Sequence, residues 1–177
     1  MIHMTFDDNN TSDLWAANVL KHYGLVGAFF LTDQPGIEYD VEALLALGMV
    51  VGNHTAQHTR LVSLPDDEVI EAVIPFNEKL KKLGASGEYF AYPFSSGGSA
   101  IINQTFKYIY RGHKNEEPDS NGEISRVTVT KKTLEEVLQY TKPLQLHAIG
   151  TSDWTSISRD WFIALCEQRA KLEHGTR

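Results

Sequence analysis

Ile2-His3-Met4-Thr5-Phe6-Asp7-Asp8 opens the stretch IHMTFDDNNTSDLWAANVLKHYGLVGAFFL, residues 2–31, which reads as strand, helix, strand. Ile2 to Phe6 is a short apolar run. Asp13 to Tyr23 carries apolar residues at helical spacing and is stopped by Gly24, and Val26 to Leu31 is a second strand-like run. The unit then recurs. Met49 to Gly52, Glu88 to Tyr92, Arg126 to Val129 and Leu144 to Ile149 read as strands, and Val41 to Leu47, Asp66 to Leu83, Leu134 to Tyr140 and Asp160 to Leu172 as helices. Such alternation implies parallel strands with helices packed outside, as an open doubly wound sheet or as a barrel.

In either architecture chemistry collects at the carboxyl ends of the strands. Asp7 and Asp8 follow the first strand, His54 follows the third, Pro93 and Phe94 follow the fourth, and His147 sits late in the last. All the candidate polar groups therefore fall on one rim. A carboxylate with the two imidazoles of Asn53-His54-Thr55-Ala56-Gln57-His58 is a ligand set for a divalent ion, with positions left open for water and substrate. His54 and His58 are four residues apart, so they share a face if the loop after the third strand turns helically. Taken singly, Asp7-Asp8 also reads as a turn or helix cap, and the histidine pair as surface residues.

Thr5-Phe6-Asp7-Asp8, His54-Thr55-Ala56-Gln57-His58, Phe90-Ala91-Tyr92-Pro93-Phe94 and Leu144-Gln145-Leu146-His147 resemble, in order, four motifs of the polysaccharide deacetylase family, the NodB-homology or carbohydrate esterase family 4 domain. The resemblance implies a distorted or incomplete (β/α) barrel of parallel strands with outer helices, and hydrolysis of acetyl groups on an N-acetylated or O-acetylated glycan. It assigns Asp8, His54 and His58 to the metal, Asp7 to the general base and His147 to the general acid. A backbone N–H of the Pro93-Phe94 turn would help hold the oxyanion. Trp154 reads either as a groove-lining ring able to stack on a sugar or as part of a helix-entry loop, and Tyr92 and Phe94 read as groove wall or as core. The ligand types make Zn2+ the default ion, with Co2+, Ni2+ or Mn2+ as fitting alternatives.

The chain departs from the family pattern in three places. Ala91 stands where members often carry the arginine that orients the base, and Arg126 is a candidate substitute if it points into the rim. Asn9 replaces a common glycine. The family's Asp-Trp element is not found ahead of the last motif, whereas Asp153-Trp154 follows it, placing Asp153 as a candidate partner of His147. These departures keep two other functions open: a carbohydrate-binding domain that retains the metal site without turnover, and a metal-dependent amidohydrolase acting on a small C–N substrate.

With 177 residues, 42% of them hydrophobic, the chain suffices for one core, and residues 1–177 read as a single catalytic domain. A net charge of -7 with no basic stripe argues against nucleic acid, and no run is long enough to cross a bilayer. Cys166 is the only cysteine, which excludes an intrachain disulfide. The family resemblance points to the cell envelope or exterior, no export signal is read before Met1, and the oligomeric state is not encoded legibly. Gly112 to Gly122 reads as a surface excursion. His3, His22, His113 and His174 read as ordinary surface or packing residues. A strand at the carboxyl edge of the barrel reads as short or absent, so the barrel is expected to be open or flattened.

Overall fold

The computed structural model describes residues 2–36, 38–113, 115 and 117–175. Strand β1, Met4–Asp7, is buried at every position and pairs in parallel with β2, Gly27–Leu31, on one side and β7, Leu144–Leu146, on the other. Strands β3 (Val50–Asn53), β4 (Tyr89–Ala91), β5 (Tyr108–His113) and β6 (Glu123–Thr128) follow in chain order, each parallel to its neighbours. The described residues thus form a closed seven-stranded barrel.

That closure corrects the expectation of an open or flattened barrel. The sequence reading places no strand at Tyr108–His113 and begins a surface excursion at Gly112, where the structure has β5 pairing with both β4 and β6. With this extra stave present, the three-residue β7 bonds β6 on one edge and β1 on the other. The apolar run Tyr108-Ile109-Tyr110 is broken by Arg111-Gly112-His113, which hides the strand. Gly112 is a matter of room: a Cβ there would collide with the Gln145 side chain and lie 2.7 Å from Ser95 Oγ.

Side chains alternate between two environments, as a pleated strand requires. Met4, Phe6, Phe29, Leu31, Val51, Leu144 and Leu146 join the core outside the barrel, whereas Ala28, Phe30, Ala91 and Tyr110 form a cluster within it. Helices α1 (Asp13–His22), α2 (Val41–Ala46), α3 (Asp66–Lys82), α4 (Ala100–Thr105), α5 (Leu134–Leu138) and α6 (Arg159–His174) flank the strands. Phe6 stacks on Phe29 at 4.5 Å and meets Phe162 of α6 edge-on at 5.9 Å, which seats that helix on the sheet. Burying one such ring contributes about 1.5–3 kcal/mol. Inside the barrel, Gly52 leaves space for Phe30, whose ring atoms would lie 2.6 and 2.7 Å from an added Cβ.

Helix α3 shows how composition sets an element. Asp66, Asp67 and Glu68 occupy its first turn and Lys79, Lys81 and Lys82 its last, each sign opposing the helix dipole. Val69, Val73, Phe76, Asn77 and Leu80 make its buried face. Pro75 lies within the helix on its exposed side and removes the N–H that would bond Glu71. Just before that residue, the carbonyls of Ala72 and Val73 accept from the Ala56 N–H and from Asn53 Nδ2, both at 3.0 Å. Those two bonds tie the helix to the loop after β3.

Candidate active site

The carboxyl ends of the strands surround a groove of about 970 Å³. A second cavity of about 660 Å³ opens at the opposite mouth of the barrel beside Ile2, Val50, Tyr89 and Tyr108, and none of the Asp and His residues singled out above lines it.

Asp7 ends β1, is almost wholly buried, and turns inward with Thr5. Arg126 of β6, also buried, donates from Nη1 to Asp7 Oδ1 at 2.7 Å and from Nη2 to Oδ2 at 2.6 Å. The same Nη1 donates to Thr5 Oγ1 at 2.9 Å, and that hydroxyl donates to the Leu144 carbonyl at 3.0 Å. Arg126 therefore supplies the guanidinium that residue 91 lacks. Its carbon lies 5.4 Å from the Phe30 ring centroid, so the cation rests on an aromatic face. Burial alone would raise the Asp7 pKa, but the Arg126 and His54 charges outweigh it and hold the carboxyl well below the usual carboxylate range.

Asp8 and Asn9 leave the strand in left-handed conformations, with φ of 77° and 51°. Asp and Asn tolerate this better than other non-glycine residues. Asn9 holds the turn by donating to the Thr32 carbonyl at 2.7 Å and accepting from the Thr32 N–H at 2.8 Å, so it stitches β1 to the end of β2. The Asp8 carboxylate consequently points across the rim. Its Oδ1 lies 3.4 Å from His54 Nε2 and 3.2 Å from His58 Nε2, and one ligand atom from each of the three residues falls within 4.8 Å of the others.

The two imidazoles do not meet through a helical turn, the condition under which their spacing would place them on one face. Thr55 and His58 have φ of 61° and 52°, and the segment between them is an irregular turn. Asn53 Oδ1 accepts from the Thr55 N–H at 2.7 Å, and Thr55 Oγ1 accepts from the Thr59 N–H at 2.6 Å. His54 Nδ1 lies 2.7 Å from the Ala91 carbonyl. Because that carbonyl can only accept, Nδ1 carries the hydrogen and neutral His54 turns the Nε2 lone pair toward Asp8. Burial disfavours the His54 cation, but Asp7 and Asp8 outweigh it and raise its pKa. At His58 burial prevails and the pKa is lowered.

These donors fit a divalent cation. Among the described residues, buried Asp8 Oδ1 has no well-aligned hydrogen-bond donor, an arrangement that costs free energy unless something cationic meets the oxygen. Two imidazole nitrogens converge on it. Burial works against the Asp8 carboxylate, yet its His54 neighbour lowers the pKa on balance and keeps the oxygen ionised.

His147 Nε2 lies 3.8 Å from Asp8 Oδ2 on the same rim. Asp153 does not bond it: Asp153 Oδ1 accepts from the Thr155 N–H at 2.7 Å and its hydroxyl at 2.6 Å, while His147 Nδ1 has no hydrogen-bond partner among the described residues. The expected Asp153–His147 contact is therefore replaced by a local turn. Trp154, 78% exposed, stands on the groove wall beside that turn. Phe94 has φ of 55°, packs 4.5 Å from the His58 ring and carries the Arg60 guanidinium at 4.6 Å. Tyr92 is buried, and its hydroxyl accepts from the Ser99 N–H at 3.1 Å, so it braces the turn from below.

Gln145, within the Leu144–His147 motif, is a further residue at the site that its motif alone does not mark out. Its Nε2 donates to Asp7 Oδ2 at 2.8 Å, and its Oε1 accepts from Thr128 Oγ1 at 2.7 Å. Alternation was the available signal, since Leu144 and Leu146 face the outer core and the residues between and after them must face inward. His113 lies in β5 rather than a loop. His3 pairs with Glu173 at 3.0 Å, an ordinary partly exposed contact. The His174 side chain falls outside the described ones.

The family profile described as polysaccharide deacetylase matches residues 1–113. The chain belongs to that family. No curated protein matches the sequence. Among solved structures, a family 4 carbohydrate esterase from Streptomyces lividans in complex with acetate shares 16% identity at a TM-score of 0.64, over 98% of this chain and 88% of that one. The peptidoglycan deacetylase PdaC from Bacillus subtilis shares 18% at 0.66, over 97% and 84%. A family 4 carbohydrate esterase from Bacillus anthracis shares 18% at 0.64, over 98% and 75%. At such identities the likeness shows the fold, and the seven-stranded barrel of this deacetylase family member is that fold.

Proposed function

We propose that residues 1–177 act as one catalytic domain, a metal-dependent hydrolase that removes acetyl groups from an N-acetylated or O-acetylated polysaccharide. The observation that carries this reading is Asp8 Oδ1, buried, lacking an aligned donor and facing the Nε2 atoms of His54 and His58 at 3.4 and 3.2 Å. Those three residues would hold the ion, with Zn2+ as the default. Bound there, a divalent ion supplies a Lewis acid for the acetyl carbonyl and lowers the pKa of a coordinated water.

The chain's own groups would do the rest. Asp7, held in place by Arg126, accepts the proton of the attacking water. Phe94 supplies the turn's N–H to the developing oxyanion, because Pro93 has none. His147, across the rim, delivers a proton to the departing amine or alcohol. Trp154 offers an exposed ring to the apolar face of a sugar.

The Arg126–Asp7 pair supports turnover over a binding-only domain, since the guanidinium missing at position 91 is met from β6. The open groove of about 970 Å³ favours a polymer over a small C–N substrate. Acetate release from a panel of acetylated glycans, with zinc or cobalt added, tests the proposal against an Asp7→Asn variant. Release lost in the variant supports it, and equal background from both overturns it.

A further inference from the structure

The proton-accepting part given to Asp7 leaves Gln145 unexplained, although this side chain is buried in the barrel and reaches the same carboxylate. We propose that Gln145 is a positioning residue for Asp7, aimed by Thr128 and admitted to its place by the missing side chain of Gly112. The inference rests on the deacetylase reading for its catalytic meaning, but the positioning itself can be observed without turnover.

An amide has a donor end and an acceptor end, and the Gln145 network distinguishes them. Asp7 is ionised and can only accept, so the Nε2 end must face it, as the 2.8 Å bond to Oδ2 shows. The Thr128 hydroxyl donates to Oε1 at 2.7 Å and anchors the other end of the amide. Flipping would set Oε1 against a carboxylate oxygen and lose the bond to Asp7. Thr128 lies two residues beyond Arg126 on β6, so one strand carries both the guanidinium that grips Asp7 and the hydroxyl that orients its second donor.

Three donors then converge on Asp7: Arg126 Nη1 on Oδ1, and Arg126 Nη2 with Gln145 Nε2 on Oδ2. Arg126 alone sets the plane of the carboxylate but would let it swing with the guanidinium. A third donor from a different strand removes that freedom. Gly112 completes the arrangement from β5. Its backbone is not in the left-handed region, so any residue suits its conformation, yet a Cβ there would run into Gln145 Oε1.

The test compares Gln145→Leu, Thr128→Val, Thr128→Ser and Gly112→Ala with the unaltered, metal-loaded protein. If Gln145 positions Asp7, Thr128→Val and Gly112→Ala each lower kcat for acetate release about ten- to hundredfold, as small misplacements of a reacting group do, with KM and metal content unchanged. Thr128→Ser restores the rate. Thr128→Val adds nothing in a Gln145→Leu background, because both act through one hydrogen bond. Independently of activity, side-chain nitrogen NMR should show Gln145 amide hydrogens displaced from free-amide positions, returning toward those positions in Thr128→Val. A folded Gln145→Leu protein with unaltered kcat, or a change confined to KM, overturns the proposal. Should no glycan be cleaved by the parent protein, the deacetylase reading fails, while the NMR comparison still decides the positioning.

Discussion

Arg126 and Asp7 lie 119 residues apart in sequence and face each other through two parallel hydrogen bonds of 2.7 and 2.6 Å, both side chains buried. A planar guanidinium matched to a carboxylate is geometrically specific, and lysine cannot reproduce it. Removing one member leaves the other charged and unpaired inside the barrel.

Arg126→Met is therefore expected to destabilise the fold by about 3–5 kcal/mol, read from denaturant unfolding. Asp7→Asn combined with Arg126→Met should recover part of that stability while acetate release stays lost. The pH dependence follows from the depressed Asp7 pKa: stability contributed by the pair is present above the ordinary value of 3.8 and is lost as pH falls through the lower folded value. The pair's share of stability should hold constant from neutral pH down to the carboxylate range. A loss that began near pH 6 would contradict this.

Chelation should abolish acetate release, and zinc or cobalt should restore it. Asp8→Ala and His54→Ala are expected to lose stoichiometric metal by elemental analysis, whereas Trp154→Ala keeps it. In metal-free protein the raised His54 pKa stabilises the fold below the ordinary 6.5, and that contribution is lost as pH rises through the folded value. Added metal competes with protons for the imidazoles. The rise in Tm on adding zinc should thus grow between about pH 6 and pH 8.

Trp154 is 78% and Phe94 54% exposed, far more than aromatic cores require. Trp154→Ala should change folding stability by less than about 0.5 kcal/mol, the usual range for a surface substitution. Its KM for a polymeric substrate should rise several-fold at little cost in kcat. Phe94→Ala should affect both constants, because its ring packs on His58. Unchanged KM on a polymer for both variants would remove the groove role.

Asp13 is buried at the start of α1; among the described residues Oδ1 has no partner, and Oδ2 accepts from the Asn10 N–H at 3.0 Å. Burial raises its pKa well above the ordinary value, so its contribution to stability is present at low pH and is lost as pH rises through the folded pKa. Against this, a carboxylate in the first helical turn gains about 0.3–1 kcal/mol from the dipole. A buried polar atom left unsatisfied costs about 1–3 kcal/mol, so burial should win. Asp13→Asn is expected to raise Tm at pH 8 and leave it nearly unchanged at pH 4, as calorimetry at the two pH values can check.

Much of the barrel could be read from the chain because local rules set its parts. Gly24, Gly48 and Gly84 end α1, α2 and α3, each with positive φ, and the apolar spacing of α3 places its buried face correctly. β5 escaped notice because Arg111, Gly112 and His113 serve the barrel interior and the turn beside it rather than an apolar core. Arg111 Nε donates to the Ser95 carbonyl at 3.0 Å, and Gly112 makes room for Gln145. The shape of the His54–His58 turn is left open because four-residue spacing is all that sequence offers. Its two left-handed residues are held by Asn53, Thr55 and the carbonyls of α3.

From its residues alone, this chain dictates alternating strands and helices and a rim bearing one carboxylate pair and three histidines, because periodicity and turn chemistry act between neighbours. Tertiary structure decided that the sheet closes, that Arg126 rather than residue 91 meets Asp7, and that Gln145 joins it from 138 residues away. Hydrogen-bond partners inside a barrel are chosen by which side chains several strands bring within about 3 Å, a distance no spacing along the chain encodes.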